Sequence, residues 1–97
     1  MKIIIDLMVM YRGTDDNFMF GSVRREIETN LVPVAGMEIE DSAWKIPRDI
    51  KSVTINPAEG YYHIWVGEDE ADERERAYQQ VQMYKSHGWE VLSCSEV

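Results

Sequence analysis

The chain has 97 residues, of which 44% are hydrophobic and 29% charged, a composition that fits one globular domain and excludes both a disordered tail and two independent cores. Its 18 acids against 10 bases leave a net charge of −8, a field that repels polyanions. The only basic doublet, Arg24-Arg25, is followed by Glu26 and Glu28, so the sequence argues against nucleic-acid binding and suits a partner with a basic surface.

From Lys2 to Tyr11 the pattern alternates. Ile3, Ile5, Leu7, Val9 and Tyr11 share one face, and Ile4, Met8 and Met10 lie on the other beside Lys2 and Asp6. A strand apolar on both faces predicts a central position with cover on each side. The stretch is read as a strand rather than a signal peptide, because Asp6 breaks it and no small-residue cleavage site follows. Nothing approaches the run of about 18 apolar residues that a membrane span needs, so the expectation is a cytoplasmic protein without a membrane partner.

Arg12 to Asn17 reads as a loop, followed by Phe18, Met19, Phe20 and Gly21. Ser22 to Val32 fits two structures. Val23, Ile27 and Leu31 make a helix stripe or a strand face equally well, but Arg24, Glu26, Glu28 and Asn30 alternate outward and favour a strand. Pro33 to Gly36 is a turn into the short strand Met37 to Glu40. Ser52 to Asn56 and Tyr61 to Gly67 form the arms of a hairpin around Asn56-Pro57-Ala58-Glu59-Gly60, with Tyr61, His63 and Trp65 on one face. The second arm is apolar on both faces and is also expected to be covered on both.

Glu68 to His87 reads as the one long helix. Asp69, Glu70, Asp72 and Glu73 suit the positive end of its dipole, and Gly88 suits its stop. Glu70–Arg74 and Asp72–Arg76 are expected i,i+4 pairs, and Trp89 to Leu92 returns as a last strand. The chain is thus expected to be a single α+β domain over residues 1–97: a mostly antiparallel curled sheet of five or six strands on one C-terminal helix. A helical Ser22–Val32 would give instead the ferredoxin-like order β-α-β-β-α-β.

Chemical motifs are sparse. Gly13 and Gly21 are isolated and cradle no phosphate, and Cys94 is the only cysteine, so there is no internal disulfide. His63, His87 and Cys94 lack metal-ligand spacing, so no metal or other cofactor is expected. Asp15, Asn17 and Glu26 echo the first, third and last positions of a calcium loop, but Met19 and Phe20 occupy positions that require oxygen and glycine. Asp6, alone in an apolar strand, calls for a partner such as Arg24 or Arg25, because an unpaired carboxylate there is costly. The surplus of Tyr and Trp over Phe suggests an interface or groove as well as a core. The candidate ligand or interface residues are Trp44, Tyr61, His63, Trp65 and Tyr84, with no catalytic residue assigned.

Leu31-Val32-Pro33-Val34-Ala35-Gly36-Met37-Glu38-Ile39, followed by Ser52-Val53-Thr54-Ile55-Asn56, resembles segments of small bacterial proteins carried on phages and mobile gene cassettes. The resemblance spans about a third of the chain. It implies a small β-rich curled sheet, favours a strand over Ser22–Val32, and points to an accessory, protein-binding role without implying any activity. The expected function is a non-enzymatic interaction module, self-association as a homodimer included. The alternative is a small-ligand binder or minor enzyme whose pocket lies between helix and sheet, touching Tyr61, His63, Trp65 and Tyr84.

Overall fold

Apolar alternation in the first strand organises the whole architecture. In the computed structural model, which describes residues 1–14 and 16–96, β1 spans Lys2–Arg12 and β2 spans Asn17–Glu28. A small hairpin follows, β3 (Glu38–Ile39) with β4 (Arg48–Asp49), and then the longer hairpin β5 (Ser52–Asn56) with β6 (Tyr61–Trp65). The chain closes with β7 (Asp69–Ala71), α1 (Arg74–Ser86) and β8 (Glu90–Cys94). This is an α+β fold: a mostly antiparallel, open sheet of six strands packed on one helix near the C-terminus, with no closed barrel.

Strand order is β5-β6-β1-β2-β8, and β1 is central. β2 pairs with it antiparallel, while β6 runs parallel to its first half and β7 parallel to its second. Ile3, Ile5, Leu7 and Val9 face the helix side and are buried there with Val23, Ile64, Val66, Ala77, Val81 and Tyr84. α1 presents Ala77, Val81 and Tyr84 at i, i+4 and i+7, a narrow apolar stripe that suffices for one side of a sheet. Gly21 permits the approach, since a Cβ there would stand 2.8 Å from Val81 Cγ2 and 2.9 Å from the Ser93 carbonyl oxygen.

Ser22–Val32 is not helical. Residues 22–28 belong to β2, which begins earlier than expected, at Asn17, and ends at Glu28; the ferredoxin-like order does not form. The helix is shorter than expected. It starts at Arg74, because Asp69–Ala71 is drawn into pairing with Val9–Tyr11 of β1. Burial against the sheet thus outweighs local helix propensity there. Only Glu75 remains as an acid in the first turn. Of the two expected helical pairs, Asp72 lies 3.8 Å from Arg76, whereas Glu70 turns to Arg12. The stop is as expected: His87 caps the helix and Gly88 follows at φ +90°.

Among the described residues no element covers the second face of β1 and β6, where cover is expected. α1 and the later part of the crossover, from Ile39 to Ile50, lie on the helix side, where Ile39, Ala43, Trp44 and Ile50 join the core and Trp44 and Arg48 bond to Tyr84. On the other face Ile4 is shielded by its neighbours, and Met8 and Met10 are half-buried without any element over them. The calcium-loop echo also fails. Asp15 lies outside the described residues, and Asn17 and Glu26 stand in one extended strand, about 30 Å apart at roughly 3.3 Å per residue.

Candidate functional site

Strand alternation sorts the candidate residues onto opposite faces. Lys2, Ile4, Asp6 and Met8 face away from the helix, and the ladder sets Tyr61 beside Lys2 and His63 beside Ile4, with Trp65 two residues further on the same face. Tyr84 lies on the helix face, buried beneath α1. The structure therefore brings Tyr61, His63 and Trp65 into one row and separates them from Tyr84 by the thickness of the sheet. Among the described residues no pocket touches all four, because the sheet stands between the row on β6 and Tyr84 on α1.

At the centre of the open face Asp6 is held from both neighbouring strands. Arg24 Nε and Nη2 donate to its two carboxylate oxygens at 2.6 and 2.9 Å. His63 Nε2 lies 2.8 Å from Asp6 Oδ2, and since the carboxylate can only accept, the ring nitrogen donates. Partial burial pushes the Asp6 carboxyl up, but the bonds from Arg24 and His63 outweigh it and hold the group below its ordinary value. The bond to Asp6 in turn raises the Arg24 guanidinium further. The result is an ordered Arg24–Asp6–His63 clamp, half exposed, flanked by Trp65 and Met8.

An aspartate that fixes an imidazole is one element of general-base chemistry. The other elements are missing: among the described residues no hydroxyl or thiol hydrogen-bonds to His63, and Ser22 and Ser93, on the same face, bond to each other at 2.9 Å. Cys94 is an exposed free thiol whose ionisation is pushed up by what burial it has, the reverse of activation.

The second constellation lies on the helix side. Asp69 of β7, nearly buried, accepts from Tyr84 Oη at 2.6 Å, from Gln80 Nε2 at 2.8 Å and from Arg48 Nη2. Trp44 Nε1 donates to Tyr84 Oη at 2.9 Å, and the Arg48 guanidinium sits 4.8 Å from the centre of the Trp44 ring. Burial, then the hydrogen bond to Asp69 and its negative charge, push the Tyr84 phenol well above its ordinary 10.0. Trp44 and Tyr84 thus do meet, but as a brace that ties the crossover to α1.

Asp41 completes this brace. Its Oδ2 accepts from Trp89 Nε1 and from the Ala43 amide, both at 2.9 Å, and its Oδ1 is 2.9 Å from Arg25 Nε. Arg25 Nη1 also donates to the His87 carbonyl at 2.8 Å, satisfying a group at the end of α1. The sequence reading missed Asp41 and Asp69. Asp41-Ser42-Ala43 carries an Asx-turn signal, whereas Asp69 is hidden in an acidic run that resembles solvated surface.

Several shallow depressions flank the brace. One of 650 Å³ is bordered by Trp44, Lys45, Ile46, Arg48, Met83 and His87. Another of 690 Å³ lies between Arg12, Glu70, Arg76 and Gln79, where Arg12 is already paired with Glu68 and Glu70. Among the described residues no three His, Cys, Asp or Glu side chains group as metal ligands, and no helix is long and apolar enough to cross a membrane. No protein-family model matches the chain, and neither a curated protein nor a solved structure matches it.

Proposed function

We propose that the chain is a non-enzymatic interaction module that works by presenting sheet surface to another protein. The observation that carries this reading is the one-sided sheet, with Tyr61, His63, Trp65, Met8 and Met10 left partly exposed on the face without a helix. Tyr and Trp give large contact area with a polar tip, as protein interfaces favour. The clamp orders Arg24, Asp6 and His63 before any partner arrives, which lowers the entropy lost on binding. On this face the acids Asp6, Glu26, Glu28, Glu70 and Glu90 outnumber Lys2, Arg12 and Arg24, five to three. That balance favours a partner with a basic rim over nucleic acid or an anionic membrane surface. An accessory role is also what the resemblance to phage and cassette proteins implies.

The test is a pull-down with the immobilised wild type and with Trp65→Ala and Ile55→Lys, read by native mass spectrometry of the eluted complexes. A stoichiometric protein held by the wild type and lost from a variant supports the reading. A chain that is monomeric and holds no specific protein, or holds the same proteins in all three forms, contradicts it.

A second reading, small-ligand binding, is favoured by the depression beside Trp44, where Lys45, Arg48 and His87 gather bases on an otherwise acidic chain. It predicts that an anionic metabolite raises the melting temperature of the wild type but not of Trp44→Ala. A broad library without any shift removes it.

A further inference from the structure

The two edges of the sheet are unlike. At one edge β8 carries Glu90, its pairing with β2 is broken by a bulge between Ser22 and Val23, and α1 packs against it. Charge, bulge and a covering helix are the ordinary guards against edge-to-edge pairing. At the other edge β5 has none of them. Its sequence, Ser52-Val53-Thr54-Ile55-Asn56, has no charge and no proline, and its pairing with β6 is regular throughout. Among the described residues β5 touches no element except β6, and Ile55 is 54% exposed. The nearest lysine is also turned aside: Lys51 Cε lies 3.2 Å from where a Cβ on Gly67 would stand, toward the segment that follows β6.

Resting on the reading of the chain as an interaction module, we propose that the partner of this edge is β5 of a second copy, paired antiparallel about a two-fold axis through Thr54. The register follows from the sequence. Centring the pair on Thr54 sets Val53 opposite Ile55 of the other copy and Ile55 opposite its Val53, both on the helix side. Ser52 then meets Asn56, and Thr54 meets Thr54, on the open side. Apolar groups oppose apolar and polar groups oppose polar at all five positions, which is the self-complementarity that a two-fold interface demands. A shift by one residue sets Val53 against Thr54 and loses it.

Charge agrees with this placement. Between Lys45 and Gly60 the bases Lys45, Arg48 and Lys51 stand against the acids Asp49 and Glu59, a balance of +1 in a chain of −8. β5 therefore lies where two copies repel each other least. Joined there, the two sheets run on as one, β8-β2-β1-β6-β5 continuing into β5-β6-β1-β2-β8, and the Tyr61–His63–Trp65 rows of both copies come onto one continuous face.

Cysteine cross-linking tests the register in the Cys94→Ser background, which removes the native thiol. Opposed residues of an antiparallel pair have Cα atoms about 4.5–5.5 Å apart, within disulfide reach, whereas the two copies of Ser52 stand four residues out of register, about 14 Å apart. Under copper-phenanthroline and air, Thr54→Cys is expected to give a disulfide-linked dimer and Ser52→Cys to stay monomeric on a non-reducing gel. Ile55→Lys, at a position 54% exposed, is expected to weaken association by about tenfold or more. A wild type that is monomeric at every concentration overturns the proposal; the interaction reading then survives only if a foreign protein is captured and then lost from Trp65→Ala or Ile55→Lys. A dimer that cross-links equally at position 52, or fails to cross-link at position 54, overturns it as well, by placing the contact elsewhere.

Discussion

Asp6 stands directly across the β1–β2 ladder from Arg24, and the guanidinium grips both of its carboxylate oxygens, at 2.6 and 2.9 Å. A bidentate pair of this kind fixes two strands in register, and His63 extends the same hold to β6. Three strands of the open face are thereby tied at one carboxylate. The clamp explains how a polar residue is kept in the central strand of the sheet.

Replacing Asp6 with Asn leaves Arg24 without its counter-charge and weakens both bonds. The expected loss is about 1 kcal/mol, modest because the pair is partly exposed to solvent, measured as a lowered urea midpoint. The Asp6 carboxyl ionises below its ordinary 3.8 in the folded state, so its contribution is complete above that value and disappears as pH falls through the lowered one. The stability gap between wild type and Asp6→Asn is therefore expected to stay open down to the ordinary carboxylate range and to close in more acidic solution. A gap that closes well above that range contradicts the assignment.

Tyr84→Phe removes one hydroxyl that accepts from Trp44 and donates to Asp69. The variant is expected to lose about 1–2 kcal/mol, because the indole N–H loses its acceptor and Asp69 loses a donor. Tyr84 ionises above 10.0 when folded, so its contribution is present below that value and is lost as pH rises beyond it. Alkaline unfolding of the wild type should accordingly set in above pH 10.0, with the variant showing a shallower decline there. Equal alkaline slopes in both proteins would argue against the buried phenol.

Gly21→Ala tests the helix-on-sheet contact. The new methyl would meet Val81 Cγ2 at 2.8 Å and the Ser93 carbonyl oxygen at 2.9 Å, so either α1 or β8 must move. Overpacking of this kind costs about 1–3 kcal/mol, read as a lowered melting temperature with the circular dichroism of the native fold retained. Unchanged stability would mean that α1 packs less closely on β2 than the structure has it.

Much of this fold is legible in the residues. The alternation from Ile3 to Val9, the turn chemistry of Asn56 to Gly60 and the stop at Gly88 are local signals, and each corresponds to the element it predicts. The pairing of Asp6 with Arg24 is legible too, because a lone carboxylate in an apolar strand demands a cation. The start of the helix is not legible: Glu68 to Glu73 has the charge pattern of a first turn, and only the parallel register with Val9–Tyr11 diverts it into β7. Nor does the sequence reveal which face of β1 is covered, since Ile4, Met8 and Met10 on the open face look like core until tertiary packing places α1 and the later part of the crossover on one side. The candidate set divides for the same reason, with Tyr61, His63 and Trp65 on one face and Trp44 and Tyr84 in the brace on the other.

Pairing of two copies at the unguarded β5 edge can be read from the solution mass by light scattering, over a range of concentrations at low and high salt. Such pairing predicts a wild-type dimer that persists and tightens as salt rises, because screening relieves the repulsion between two chains of −8, and an Ile55→Lys variant that remains monomeric. A monomer in both proteins at every concentration, or a dimer that salt disperses and Ile55→Lys leaves intact, would contradict it.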